Sequence, residues 1–276
     1  MLGASPLFEP HVRWPEKVWY LAQRVLCYGV LGYLVLPTLA LVPLSFSADA
    51  FLVYPIRHLS WHWYRELFAS ATWWRAIRNS FIVAPSAAAL ATVLGTLCAL
   101  GLDRADFPGK RVLTALILSP LVAPLVVVAV GMYLFYMRLH LANSFIGLII
   151  AHSMLGAPFV VTTVGAVLKG FDGILVKASH SLGAGRVATF WRITLPLILP
   201  GVLSGALFAF AASFDEVVIT LFLAGPGQST IPLQMFSAIR ESITPTIVAL
   251  ATLLVLFSTT LLLAFEFLRR RLAQRA

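Results

Sequence analysis

Residues 169–201 read KGFDGILVKASHSLGAGRVATFWRITLPLILPG, and this stretch decides how the rest of the chain is read. Ile174, Leu175, Ala178 and Leu182 recur at helical spacing and predict a short helix over 174–182. Gly183-Ala184-Gly185 interrupts that pattern, because glycine adopts the backbone conformations that end helices. A second helical pattern resumes at Val187, Phe190 and Ile193, and Pro196 and Pro200 mark the start of the next apolar run. Helix, glycine turn and helix together make a handle that a peripheral protein can grip at a membrane surface. The spacing alone fits an ordinary amphipathic connector equally well.

Outward from this loop the chain is apolar on the scale of a bilayer. A hydrocarbon core about 30 Å thick needs roughly 20 apolar residues per helical span. Six stretches meet that requirement: 25–46, 76–102, 112–137, 144–168, 197–223 and 246–268. Of the 276 residues 60% are hydrophobic and 11% charged, with mean hydropathy +0.91. Soluble domains carry about 45–50% apolar and about 25% charged residues. A water-soluble enzyme, a disordered chain and a nucleic-acid-binding module are all excluded; the fold class is all-α transmembrane. The first span is read as an uncleaved anchor, since a polar segment precedes it and no small-residue cleavage site follows. Pro120 and Pro124 predict a kink within the third span.

The net charge of +9 is a topology signal. With the N-terminus inside, fourteen basic residues fall in cytoplasmic segments, among them Arg13, Lys17, Arg24, Arg104, Lys110, Arg111, Lys169, Lys177, Arg269 and Arg275. Six fall outside: Arg57, Arg65, Arg75, Arg78, Arg138 and Arg240. The positive-inside rule then places both termini in the cytoplasm. The chain divides into a cytoplasmic segment 1–24, a transmembrane domain 25–268 and a cytoplasmic tail 269–276, with no nucleic-acid patch. Trp61, Trp63, Tyr64, Phe68, Trp73 and Trp74 predict a short interfacial helix between the first two spans. His58 and His62 would share a helix face there, but two imidazoles without a third ligand give no metal site. Cys27 and Cys98 sit in apolar runs and read as small buried hydrophobes. Asp103 beside Arg104 reads as an interface pair, and Glu266 is matched by Arg269 and Arg270.

The 169–196 loop resembles the cytoplasmic docking loop of bacterial ABC-importer permeases. That pattern is E-A-A, three residues, G, then nine residues before I-x-L-P. Here Lys177, Ala178 and Ser179 occupy the E-A-A place; Gly183 and Ala184 follow at the family spacing, and Ile193, Leu195 and Pro196 complete it. Lys177 reverses the usual acidic charge, and Ser179 replaces an alanine. Arg78-Asn79-Ser80, the segment RADFPGKR over 104–111 and the six-span layout extend the resemblance over nearly the whole chain. FDEVV at 214–218, FLAGP at 222–226 and IPLQMF at 231–236 are similar to the polyamine (spermidine/putrescine) branch. The resemblance implies a six-helix ABC-importer permease bundle in the bacterial inner membrane. It implies three partners: an ATP-binding subunit, as a dimer; a second and different permease chain; and a periplasmic or extracellular substrate-binding protein. The docking contact would fall on Lys177, Ala178, Ser179, Leu182, Gly183, Ala184, Phe190, Ile193, Leu195 and Pro196.

The chain has no G-x-x-x-x-G-K-[ST] phosphate loop, H-E-x-x-H helix or G-x-S-x-G elbow, so it carries no catalytic residue. ATP and Mg belong to the partner ATPase, and no metal or cofactor is expected in this chain. His152-Ser153 in the fourth span reads as helix–helix hydrogen bonding. Asp215 and Glu216 stand out, because a carboxylate within a span costs about 2.5 kcal/mol or more and must face a cavity or a partner. Read as neighbours on a continuous helix, they point about 100° apart. They form either a packing or gating pair or an attractor for a cationic substrate, with Ser213 and Phe214 adding a hydroxyl and an aromatic face. The expected function is an importer permease subunit for a small cationic solute such as putrescine or spermidine. The alternatives are a permease for another small organic solute (an amino acid or opine) and a membrane scaffold or enzyme.

Overall fold

The computed structural model describes residues 14–170, 173–241 and 244–273; the expectations for Arg13 and Arg275 lie outside these residues. Twelve α-helices are seen among them: α1 (Trp14–Leu44), α2 (His62–Ala69), α3 (Ala71–Arg104), α4 (Lys110–Leu118), α5 (Leu125–Arg138), α6 (Phe145–Leu168), α7 (Ile174–Ser181), α8 (Arg186–Thr189), α9 (Leu195–Phe214), α10 (Val218–Leu223), α11 (Ile231–Glu241) and α12 (Pro245–Ala273). Among the described residues five helices are long and apolar enough to cross a membrane, six if the bent pair α4–α5 counts as one span. The chain forms two compact units, one from residues up to 67 with 244–255, the other from 68–243 with 256–276.

In the first unit α1 exposes apolar side chains all round, as a helix in contact with lipid must. After it the chain turns back through a single antiparallel bridge, Ser47 to Leu59. The Tyr64 and Ser45 hydroxyls meet at 2.8 Å, and the Trp63 indole donates to the Ser47 carbonyl at 2.8 Å. Trp63 and Tyr64 pack with Phe46, Ala249 and Leu253. The expected interfacial helix is therefore only α2, with Trp63, Tyr64 and Leu67 buried; Trp73 and Trp74 belong to α3. His58 precedes α2 and shares no helix face with His62, which instead approaches Glu66 at 3.7 Å.

In the second unit α3, α6 and α9 pack through small residues. Ala88, Ala91, Val160, Val164, Ile198 and Ala209 form one buried cluster. Where hydrocarbon replaces water outside, such helices associate through close van der Waals contact, and small side chains permit it. Gly205 shows how close: a Cβ there would lie 2.8 Å from the Val160 Cα. Asn79 of α3 donates to the Gly227 and Ser229 carbonyls at 2.9 Å, and the Ser80 hydroxyl accepts from the Ile231 N–H at 2.8 Å. The two polar residues of the Arg78-Asn79-Ser80 motif thus hold the start of α11.

The kink expected within the 112–137 stretch is present: α4, a 3₁₀ turn (Ser119–Leu121) and α5 bend by 102° around Pro120 and Pro124. Two expectations need correction. The fifth span is misplaced. The membrane-length helix is Arg186–Phe214, because α8 runs through a π-helical stretch, Phe190–Thr194, directly into α9. It stops at Phe214, and 215–217 separate it from α10. Asp215 and Glu216 are therefore helix-end residues, and no helix relates their directions. Lastly, Asp103 makes no ion pair with Arg104 among the described residues.

Candidate functional site

Two places in the second unit carry the residues expected to function, and each is an interruption between helices. The first is the α7–α8 handle. Its turn depends on Gly183, whose φ of +83° strains any residue with a Cβ. The Gly183 N–H donates to the His180 carbonyl and the Ala184 N–H to the Ser179 carbonyl, both at 3.0 Å. The buried Ser179 and Thr189 hydroxyls meet at 2.9 Å and pin α7 to α8. Ser179, one of the two departures from the family pattern, therefore faces inward and leaves the outer surface unaltered.

That outer surface is apolar, with the basic Lys177, Arg186 and Arg192 exposed around it. Leu182 is 88% and Val187 72% exposed, and Ile174, Leu175 and Trp191 are exposed with them. Lys177, Ala178, Gly183 and Pro196 are also exposed, whereas Ala184, Phe190, Ile193 and Leu195 are half-buried. An exposed apolar patch of this kind, raised on a short stapled helix, marks an interaction surface for a protein or a membrane.

The second interruption is the break after α9. Here the polar groups turn inward. The buried His152 of α6 meets the Ser213 hydroxyl with Nδ1 at 2.9 Å and the Thr220 hydroxyl with Nε2 at 3.1 Å. The Thr220 hydroxyl donates to the Glu216 carbonyl at 3.2 Å, so it receives from Nε2–H. One imidazole thus ties the end of α9 to α10. The Glu216 carboxylate is buried and accepts from the Ile219 N–H at 2.8 Å, capping the first turn of α10. Ser213 and Glu216 have their polar atoms engaged by the protein. Asp215, by contrast, is exposed and forms no ion pair among the described residues.

Beside Asp215 lies an aromatic cluster that sequence reasoning missed except at Phe214. Phe214 stacks on Phe210 with centroids 5.3 Å apart, and meets Phe81 of α3 at 5.7 Å and Phe257 of α12 at 5.5 Å. The Phe210–Phe214 spacing of four was a readable signal. Phe81 and Phe257 come from distant helices and had none.

The comparisons with known proteins agree on what kind of chain this is. Residues 91–276 match the family model described as the binding-protein-dependent transport system inner membrane component. The chain is 33% identical over 252 residues to the spermidine/putrescine transport system permease protein PotC of Haemophilus influenzae, covering 91% of this chain and 98% of that one. It is 34% identical over 229 residues to the putrescine transport system permease protein PotI of Escherichia coli, covering 80% and 81%. Among solved structures, a chain of a bacterial ABC transporter that imports the acidic polysaccharide alginate shares the fold at TM-score 0.73 and 13% identity, over 95% of this chain and 99% of that one. A chain of the MetNI methionine ABC transporter shares it at TM-score 0.56 and 16% identity, over 72% and 96%. With its apolar helices, its stapled handle and two thirds of its length matched, the chain belongs to the inner membrane components of binding-protein-dependent transport systems, the permeases of ABC importers.

Proposed function

We propose that this chain is a membrane subunit of a polyamine importer, forming part of the path for putrescine or spermidine across the bacterial inner membrane. The observation that carries the reading is the match to relatives named for spermidine and putrescine over at least four fifths of the chain. The site chemistry fits: a polyamine is a flexible chain of ammonium groups, and an exposed carboxylate beside an aromatic wall attracts such a cation. Asp215 supplies the charge and Phe214, backed by Phe81, Phe210 and Phe257, the wall. Glu216 sets the backbone that presents Asp215.

The charge distribution supports a cytoplasmic location for both termini and for the α7–α8 handle. There the handle engages an ATP-hydrolysing subunit through Leu182, Val187 and their neighbours, with Lys177 meeting an acidic residue on that partner. Lys177→Glu tests that pairing: it should weaken ATPase coupling, and improved coupling would refute an adapted partner. Nucleotide and the loaded binding protein shift the equilibrium between two arrangements of the membrane helices. A second permease chain, different from this one, completes the path.

The test is ATPase activity of the complete reconstituted complex, with its binding protein, against putrescine, spermidine, arginine, γ-aminobutyrate and a neutral sugar. Stimulation by a polyamine alone is expected, and Asp215→Asn should reduce it. Stimulation by another member of the panel would keep the importer and discard the substrate. A second reading, a permease for a different small solute, is favoured by the 34% identity to the molybdenum transport system permease protein ModB of Escherichia coli over 183 residues.

A further inference from the structure

Where α3, α4 and α6 meet, the second unit holds a cavity of about 450 Å³. Its walls are apolar: Ala99 and Leu102 of α3, Leu118 of α4, and Val161, Gly165 and Ala166 of α6. Its charges are Asp103, Lys110 and Lys169. All three sit at helix ends, Asp103 in the last turn of α3, Lys110 at the first residue of α4 and Lys169 just beyond α6. From Val161 to Lys169 the α6 wall rises about 12 Å. The cavity is thus a furrow, charged where membrane-length helices end and apolar toward their interior. That gradient matches a bilayer at its headgroup boundary.

The charged end has unused capacity. Asp103 and Lys169 make no ion pair among the described residues. Lys110 pairs only with Asp106 at 3.1 Å, and that carboxylate is fully exposed, so the pair competes weakly with a ligand. The Thr114 and Thr162 hydroxyls donate to their own helix carbonyls and ask nothing of an occupant. The apolar end has room: unlike Gly205, a Cβ at Gly165 would meet nothing within 4 Å.

We propose that this furrow binds one phosphatidylethanolamine molecule, its phosphate between Lys110 and Lys169, its ammonium at Asp103 and an acyl chain along Gly165 and Ala166. Two cations and one anion complement a zwitterionic headgroup, whereas a purely anionic lipid would leave Asp103 opposed. Basic recesses between membrane helices are established headgroup sites in general.

The assembled importer, purified in detergent, is titrated with phosphatidylethanolamine and with phosphatidylglycerol, and bound lipid is counted by native mass spectrometry with inorganic phosphate as competitor. Wild type is expected to retain phosphatidylethanolamine in preference. Gly165→Leu fills the furrow and removes the bound molecule. Lys169→Gln weakens both lipids about fivefold, the worth of one lysine at a lipid surface. Asp103→Asn weakens phosphatidylethanolamine only. Undiminished binding to Gly165→Leu, a wild-type preference for phosphatidylglycerol, or displacement by phosphate as effective as by lipid would each overturn the proposal. Should Gly165→Leu not assemble, Lys169→Gln at its exposed position decides: an unchanged affinity for phosphatidylethanolamine refutes the site.

Discussion

The handle at 182–185 and the break at 215–217 both interrupt helices, and they do it by opposite means. At the handle the stop is local: one glycine at positive φ, bonds within a few residues, and a hydroxyl pair ten residues apart. At the break no glycine or proline intervenes between Phe214 and Val218. The stop there is imposed from α6, by a histidine 61 residues from Ser213 and 68 from Thr220, and fixed by the Glu216 cap. The local device leaves apolar side chains outside, and the long-range device gathers polar ones inside. The interruption that leaves apolar side chains exposed is built from its own sequence; the one that gathers polar groups borrows its anchor from a neighbouring helix.

Substitutions can break this contrast or sharpen it. The largest expected effect is at His152. Replacement by alanine leaves two buried hydroxyls without their partner and a cavity, a loss of about 2–3 kcal/mol. It should appear as a clear drop in thermal midpoint of the purified complex, together with loss of substrate-stimulated ATPase. Glu216→Ala removes the cap and should cost about 1–2 kcal/mol, while Glu216→Gln keeps a carbonyl acceptor and most of the stability. If Gln proves as damaging as Ala in the same melts, the charge matters and the capping account fails.

At the handle the effects are smaller and local. Gly183→Ala strains the turn by about 1 kcal/mol and should uncouple ATPase activity from uptake without altering the melt of the membrane helices. Ser179→Ala removes one hydrogen bond between α7 and α8, worth about 0.5–1 kcal/mol, and should raise hydrogen exchange in 174–189 alone. A global loss of stability from either handle variant would erase the distinction between the two interruptions.

The same contrast explains what could be read from the chain. Bilayer thickness demands a run of about 20 apolar residues, so the spans at 76–102, 144–168 and 246–268 stand out in the sequence and return as α3, α6 and α12. Pro120, Pro124 and Gly183 act on their own backbone, and their effects were foreseeable. The end of α9 was not, because apolar residues resume at 217–223 directly after Asp215 and Glu216, and the histidine that bonds across the break lies in another span. Only the fold brings Phe81 and Phe257 to Phe214. The start of α1 was missed for the opposite reason: residues 14–24 are too polar to signal a span yet contain good helix formers.

The π-helical stretch at Phe190–Thr194 has a mechanical consequence. The handle's second helix is the first turn of a continuous helix of 29 residues, with no loop between it and α9. One extra residue in a helix is about 100° of rotation, so the stretch sets the phase between the exposed face of α8 and the face α9 turns toward α6. It acts as the key on a shaft. Deleting a single residue from 190–194 would leave the helix continuous and turn the exposed face of α8 by about 100° relative to α9.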